Sequence, residues 1–436
     1  MLVTIRTNQN QNYIYMNSST LNLTKITSNH VVVHFGVFQK ELQIRINNDI
    51  NSNTIIVPAK LTELITIPDL PYESYFNDNR IYIGPIIGLM PSNYYYNNLN
   101  GLLPRFTNYN HIKGLIIIFQ QRHIDIDSAT VEGYYYEPLA KEFIKGIFPC
   151  PAAIYSRIPI EKGMYEHLNT NLNIPIFNYP YNINKTQFHK IISSHPTLEQ
   201  HLPKTVAYSA NNKNLSKMLQ TLRSVYLKPT NLSRGRGIYH IRKVKKGYYL
   251  TNQYGTRLFY KTTLLLNESV QKRITRDYLI QEDIPFKHGA NKVDFRAYFQ
   301  KNKDKQWQYS GLEAKIAKKG SIISNSKYRQ SMLVGEKALM SIYKMSGFQA
   351  YRKMQELKKL CIEALNFIES NGYHLGDAAI DLIIDKNHKI WLLEVQLNYA
   401  AEKKTLRSLD EQHVLPAILP TPFYYAKALA GFTAKK

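Results

Sequence analysis

Two apolar runs, residues 379–385 and 390–395, read as strands flanking the polar turn Lys386-Asn387-His388-Lys389. A turn centred on Asn387-His388 sets Asp385 opposite Ile390 and Asp381 opposite Glu394. Directly opposed Cβ atoms lie about 4.5–5.5 Å apart, where like charges repel, so the pair asks for a cation. Gln396, two residues beyond Glu394 and on the same face, offers a neutral oxygen. Two carboxylates and an amide oxygen suit Mg2+, which takes few protein ligands and keeps water and phosphate oxygens. With a turn of another length the acids would decorate a solvent face instead.

Three further stretches could serve a nucleotide. Val225-Tyr226-Leu227-Lys228-Pro229 reads as a strand that delivers a lysine, and the loop Thr230-Asn231-Leu232-Ser233-Arg234-Gly235-Arg236-Gly237 follows it. Its glycines let the backbone approach a phosphate and its arginines neutralise charge. The GxxxxGK[ST] loop is absent, and a Gly-rich hairpin taken alone is as readily an ordinary turn. Residues 277–285, with Gln281, Glu282 and Ile284, form a strand that breaks before Pro285. The break exposes backbone groups suited to a purine edge, or it is a plain strand end. In residues 292–299, Asp294 and Arg296 share one strand face. Read without context they are a surface ion pair of small energetic weight. A strand with Glu313 and Lys315 follows.

These segments need a frame. Residues 1–88 are β-rich, with strands at 31–36, 41–46 and 81–85; residues 89–180 read as α/β, with a doubly covered strand at 114–119; residues 181–436 run through helix, β meander and mixed α/β. The boundary is placed in the loop-like stretch 178–184. Leu357, Leu360, Cys361, Ala364, Leu365 and Ile368 mark the buried face of a helix. With 436 residues, 44% of them hydrophobic, the chain can build two or three cores and is not disordered. Two cysteines exclude a disulfide framework and fit a reducing, cytoplasmic setting. The longest apolar runs are far short of a membrane helix, and the first residues hold no signal-peptide core. The net charge of +24 favours anionic partners. Its Lys and Arg read as scattered, and a basic solvated surface is preferred to a nucleic-acid face.

In this order, the lysine strand with its Gly-rich loop, the strand break, the Asp-x-Arg strand and the acidic hairpin resemble the ATP-grasp fold, in which two α+β subdomains clasp Mg-ATP. The chain is similar in particular to the YheC/YheD-like family of endospore coat-associated ATP-grasp proteins. The likeness extends to Ile81-Tyr82-Ile83-Gly84-Pro85-Ile86-Ile87-Gly88, to residues 149–158, to Leu202-Pro203-Lys204-Thr205 and to Trp391-Leu392-Leu393-Glu394-Val395. The resemblance implies Lys185 and Lys228 on the phosphates, and Ser233, Gly235, Arg236 and Gly237 in the loop over them. It implies Gln281, Glu282 and Ile284 around the adenine, Asp294 within the nucleotide site, Arg296 and Lys315 in phosphoryl transfer, and Asp381, Glu394 and Gln396 on Mg2+. Two departures stand out. The family usually has Asn where Gln396 stands, and some ATP-grasp ligases carry Arg where Ala379 stands; Lys315 also replaces an expected Arg.

The implied activity is ATP-dependent ligation of a carboxylate to an amine or similar nucleophile through an acylphosphate. The implied partners are ATP, an acidic peptide or polymer, and spore-coat proteins. An inactive coat scaffold that keeps the fold is the rival, and a nucleic-acid-binding protein, resting on charge alone, is the third reading.

Overall fold

The computed structural model describes residues 2–6, 12–24, 26–52, 54–62, 65, 67–209, 213–285, 287–288, 291–325, 328–399 and 414–433. The β-rich start closes on itself: residues 2–84 form a seven-stranded barrel. Ile14, Val31, Val33, Leu42, Ile81 and Ile83 fill it. A second, seven-stranded sheet spans residues 86–177. Its strand Leu115–Ile118 is buried along its whole length, as a continuous apolar run between covered faces should be. The loop expected at 178–184 is pinned in place. Asn178 is fully buried, its Oδ1 accepts from the Gly376 and Asp377 amides at 3.0 Å, and its Nδ2 donates to Asp377 O at 2.8 Å and Leu397 O at 3.2 Å.

Two antiparallel sheets follow. The first comprises β1 (Thr205–Ala207), β2 (Ser224–Pro229), β3 (Tyr239–Val244), β4 (Gly247–Asn252), β5 (Arg257–Tyr260) and β6 (Tyr278–Glu282), in the order β1-β6-β2-β3-β4-β5. Helices α2 (Lys213–Thr221) and α3 (Thr263–Gln271) cover one face, packing Leu219, Leu266 and Val270 on Val225, Leu227, Ile241 and Ile280. Strand alternation turns Tyr226, Lys228, His240 and Gln281 to the other face.

The second comprises β7 (Asn291–Lys301), β8 (Trp307–Ala317), β9 (Arg329–Val334), β10 (Asp377–Ile384) and β11 (Ile390–Gln396), in the order β9-β8-β7-β10-β11. Helices α4 (Gly335–Tyr343) and α5 (Gly347–Ser370) cover it, and α5 buries the six residues that its spacing marked. Phe295, Ala297, Ile380 and Leu382 meet those helices, so Asp294, Arg296 and Asp381 face away from them. The C-terminal α6 (Thr421–Leu429) returns to the 86–177 sheet, where Phe423 and Tyr425 pack with Tyr155 and Phe177. Beside it, the fully buried Asp377 accepts hydrogen bonds from Tyr155, Tyr399 and Gln300, tying β10 to the middle of the chain.

The acidic hairpin corrects one expectation. Asp385 does not oppose Ile390; Ile384 does, and the Asp385 amide donates to Lys389 O at 2.9 Å. The cause is local. Asp385 Oδ1 accepts from the Asn387 and Lys389 amides at 2.8 and 3.0 Å, closing a three-residue loop with His388 at φ 64°. Uncorrected, that register would set Asp381 against Leu393. A bulge after Asp381 leaves Leu393 unpaired and restores Asp381 to Glu394 and Ala379 to Gln396. The two acids are paired as expected, through two offsets that cancel.

Candidate functional site

The register of the second sheet lines up Glu313, Arg296, Asp381 and Glu394 across four adjacent strands, β8, β7, β10 and β11. Arg296 grips Asp381 with both arms of its fork: Nε donates to Oδ1 at 2.6 Å and Nη2 to Oδ2 at 2.7 Å. Lys315 Nζ stands 3.8 Å from the same Oδ1. Burial raises the pKa of Asp381, but Arg296 first and Lys315 second outweigh it and hold the carboxyl well below the usual range. Glu394 lies against this carboxylate and forms an ion pair with Lys185 at 3.1 Å.

Lys185 owes its place to the helix it starts. Asn184 caps α1 (Lys185–Ser193) in a capping box with Gln187, which fixes the first helical residue beside the cleft. Its ammonium bridges the sheets, donating to Leu232 O at 2.9 Å as well as meeting Glu394. From the opposite sheet Lys228 Nζ donates to Gln281 Oε1 at 2.6 Å, and Gln281 Nε2 donates to Thr205 Oγ1 at 3.1 Å. Burial first, then Lys292, push the Lys228 ammonium down to about 8, against the pull of Glu394 and Asp294.

Lys292, which sequence reasoning passed over, is a third cleft lysine. It lies 4.2 Å from the Tyr226 ring centroid and 3.7 Å from Asp294 Oδ1. Its spacing of two from Asp294 was the available signal. Asp294 Oδ2 accepts from Ser324 Oγ at 2.5 Å, while its buried Oδ1 has no hydrogen-bond partner among the described residues.

The Gly-rich loop is folded down. Gly235 and Gly237 take φ of +74° and +70°, and a Cβ on Gly235 would sit 2.5 Å from Ile323 Cδ1 on the opposite sheet's side. The Gly237 carbonyl accepts from Tyr278 OH at 2.8 Å. Ser233 and Arg236 are exposed at the tip. Not every expected residue joins the cluster. Glu282 turns from Lys228, its Oε2 accepting from the Lys204 amide at 3.2 Å. Ile284 is buried beyond it, and the intervening Asp283 is held by His240 and Ser224, each at 2.9 Å. Gln396 lies opposite Ala379, at the end of the hairpin.

Among the described residues no group of three or more His, Cys, Asp or Glu side chains could hold a metal. The donors present are the two paired carboxylates and the Gln396 amide, all hard oxygens. Such a set fits Mg2+ sharing its shell with phosphate and water; it does not fit a closed protein cage.

Two helix-backed antiparallel sheets, one turning Lys228 and Gln281 towards the carboxylates and cations on the face of the other, define an ATP-grasp protein. Residues 173–429 match the family described as YheC/D like ATP-grasp, and the chain belongs to that family. It is 24% identical over 354 residues to the endospore coat-associated protein YheD of Bacillus subtilis (strain 168), covering 74% of this chain and 76% of that protein. Solved structures similar to it include VanG D-Ala:D-Ser ligase from Enterococcus faecalis, with 12% identity and TM-score 0.45 over 77% of this chain and 98% of that one. Another is the ATP-grasp ligase PsnB complexed with minimal precursor, with 11% identity and TM-score 0.45 over 79% and 99%. Likeness at this level is one of general architecture. Among the described residues no helix is long and apolar enough to cross a membrane.

Proposed function

We propose that this protein is an ATP-dependent carboxylate ligase. A substrate carboxylate oxygen bonds to the γ-phosphorus of ATP as the bond to ADP breaks, giving an acylphosphate. An amine or similar nucleophile then bonds to the acyl carbon, phosphate leaves, and the nucleophile gives up its proton.

The observation that carries this reading is Lys185, whose ammonium joins the Gly-rich loop at Leu232 to the acidic pair at Glu394. A phosphate chain entering between the sheets would meet Lys185, Lys228 and Lys292 together. Gln281 and the backbone up to Ile284 border the adenine, and Asp294 Oδ1, which faces Lys292 but accepts no hydrogen bond among the described residues, is offered to a nucleotide hydroxyl. Asp381, Glu394 and Gln396 hold Mg2+, which supplies charge neutralisation at the phosphates. Arg296 and Lys315 shift from Asp381 towards the transferring phosphoryl group, where positioning and fixed charge do most of the work. The acceptor is an acidic peptide or polymer, and the setting is the cytoplasm of a cell building a spore coat.

The scaffold reading draws on a different observation, the two-armed hold of Arg296 on Asp381 beneath a closed loop. Calorimetry with Mg-ATP and phosphate release on adding dicarboxylic acids separate the two. The ligase binds Mg-ATP and releases phosphate, and Asp381→Asn and Glu394→Gln abolish the release. A scaffold releases none with any acid, and tight Mg-ATP binding that survives both substitutions refutes the metal assignment.

A further inference from the structure

The basic residues are less scattered than the sequence suggested. Residues 204–276, which build β1 to β5 with α2 and α3, hold 16 of the 56 Lys and Arg and a single acid, Glu268. With β6 included, residues 204–285 add only Asp277, Glu282 and Asp283, and the lobe supplies half of the net charge of +24. Nucleotide binding at Lys228 uses one strand of it.

The outermost strand is β5. Among the described residues it pairs on one side only, with β4, so its other edge presents backbone donors and acceptors without a strand. Exposed sheet edges are usually blunted by bulges, prolines or inward charges. This one is only four residues long and carries the exposed Arg257, yet it leaves Leu258 at 37% and Phe259 at 43% exposure. A groove beside it, between the end of β5 and α3, is lined by Phe259, Lys261, Leu265, Lys272 and Arg273, with Glu268 the one acid. Leu264 and Leu265 on α3 are 68% and 47% exposed. Arg273 Nη1 donates to Ser269 O at 2.7 Å, fixing its guanidinium at the groove wall.

We propose that the β5 edge and this groove dock an extended polypeptide rich in both acidic and apolar side chains, added to the sheet as a further strand. Backbone pairing at an open edge recognises polypeptide, and nothing in a nucleic-acid strand can reproduce it. Phe259 and Lys261 share one face of β5 by the strand period, and Leu265, Lys272 and Arg273 lie on and just after α3 on the other side, so each face of an added strand would meet both apolar and basic groups. β5 stands three strand spacings, about 14 Å, from β2; Phe259 lies on the sheet face that carries Lys228 and α3 covers the other, so a chain leaving the edge over the Phe259 side would reach the cleft within a few extended residues at about 3.3 Å each. The choice of a carboxylate-rich partner rests in part on the ligase reading, because such a chain would bring acceptor carboxylates to the cleft.

The test needs no nucleotide. A fluorescein-labelled peptide of about a dozen residues repeating Glu-Glu-Val-Val, which presents both types on each face of a strand, is titrated with the full chain at low salt and read by anisotropy. The Lys261→Glu/Lys272→Glu variant is expected to weaken binding at least about tenfold while Mg-ATP calorimetry stays unchanged. The same peptide with Gln for Glu, and one N-methylated at alternate amides, are each expected to lose about tenfold or more. Equal binding by the double variant, or full binding by the N-methylated peptide, overturns the proposal. So does tighter binding of an oligothymidylate of equal charge, which would assign the patch to nucleic acid. Absence of phosphate release with every acid would sink the ligase reading and leave these titrations as they are, so the two failures are distinct.

Discussion

On the reading that Lys228 meets the phosphates, it sets a pH limit on nucleotide binding. Its ammonium is pushed down to about 8, by burial first and by Lys292 second. Only the charged form neutralises a phosphate, and a bound phosphate chain favours that form, so binding raises the value. The sign follows. Below about pH 8 the free protein already carries the proton and affinity is full; above it, each nucleotide bound must bring a proton in. With a value of about 8 in the free protein and the ammonium held charged across this range in the complex, Kd rises about tenfold between pH 7 and pH 9 and hardly changes between pH 6 and pH 7. Calorimetry in buffers of different ionisation enthalpy reads the same event directly, as uptake of about 0.9 proton at pH 9 against about 0.1 at pH 7. Lys228→Arg keeps its charge and flattens the profile. Lys228→Gln also flattens it, with affinity lower by about 1.5–3 kcal/mol, the worth of a charged hydrogen bond. A Kd independent of pH from 7 to 9, or an unchanged profile in Lys228→Gln, refutes the assignment of Lys228 to the phosphates.

Three further outcomes are expected. Asp381→Asn leaves the Arg296 guanidinium without its counter-charge and lowers stability at pH 7 by about 2–3 kcal/mol in urea denaturation. Because the folded carboxyl titrates below the unfolded one, that contribution is complete above about pH 4 and fades as pH falls, so parent and variant converge towards pH 2. Asn178→Ala strips hydrogen-bond partners from two buried amides and two carbonyls and costs about 3–5 kcal/mol, visible as a lower denaturation midpoint with unchanged slope. Gly235→Ala sets a side chain at φ +74° against Ile323; it costs about 1 kcal/mol of stability, and Mg-ATP calorimetry shows weaker binding because the loop no longer closes.

The hairpin shows where sequence reasoning succeeds and how. Alternation on β10 and β11 located the two strands and their shared face, but the turn register read from the sequence was one residue off, and Asp381 meets Glu394 because a bulge cancels that offset. The three-residue loop and the compensating bulge were not legible, because they depend on where Asp385 sends its carboxylate. The ordered motifs, carried by resemblance, named Lys185, Lys228 and Arg296. They did not name Lys292, whose value lies in the Tyr226 ring brought from another sheet.

Composition fixed the size of the cores, the basic excess and the absence of a disulfide framework, since these need only counting. Periodicity fixed most strands and the apolar face of α5, because burial of one face acts on residues a few positions apart. Only the tertiary structure decided that Arg296 would grip Asp381 across 85 positions and that Lys185 would join the loop to Glu394. Those outcomes depend on which strands become neighbours, and strand order is set by the packing of whole sheets against helices distant in the chain.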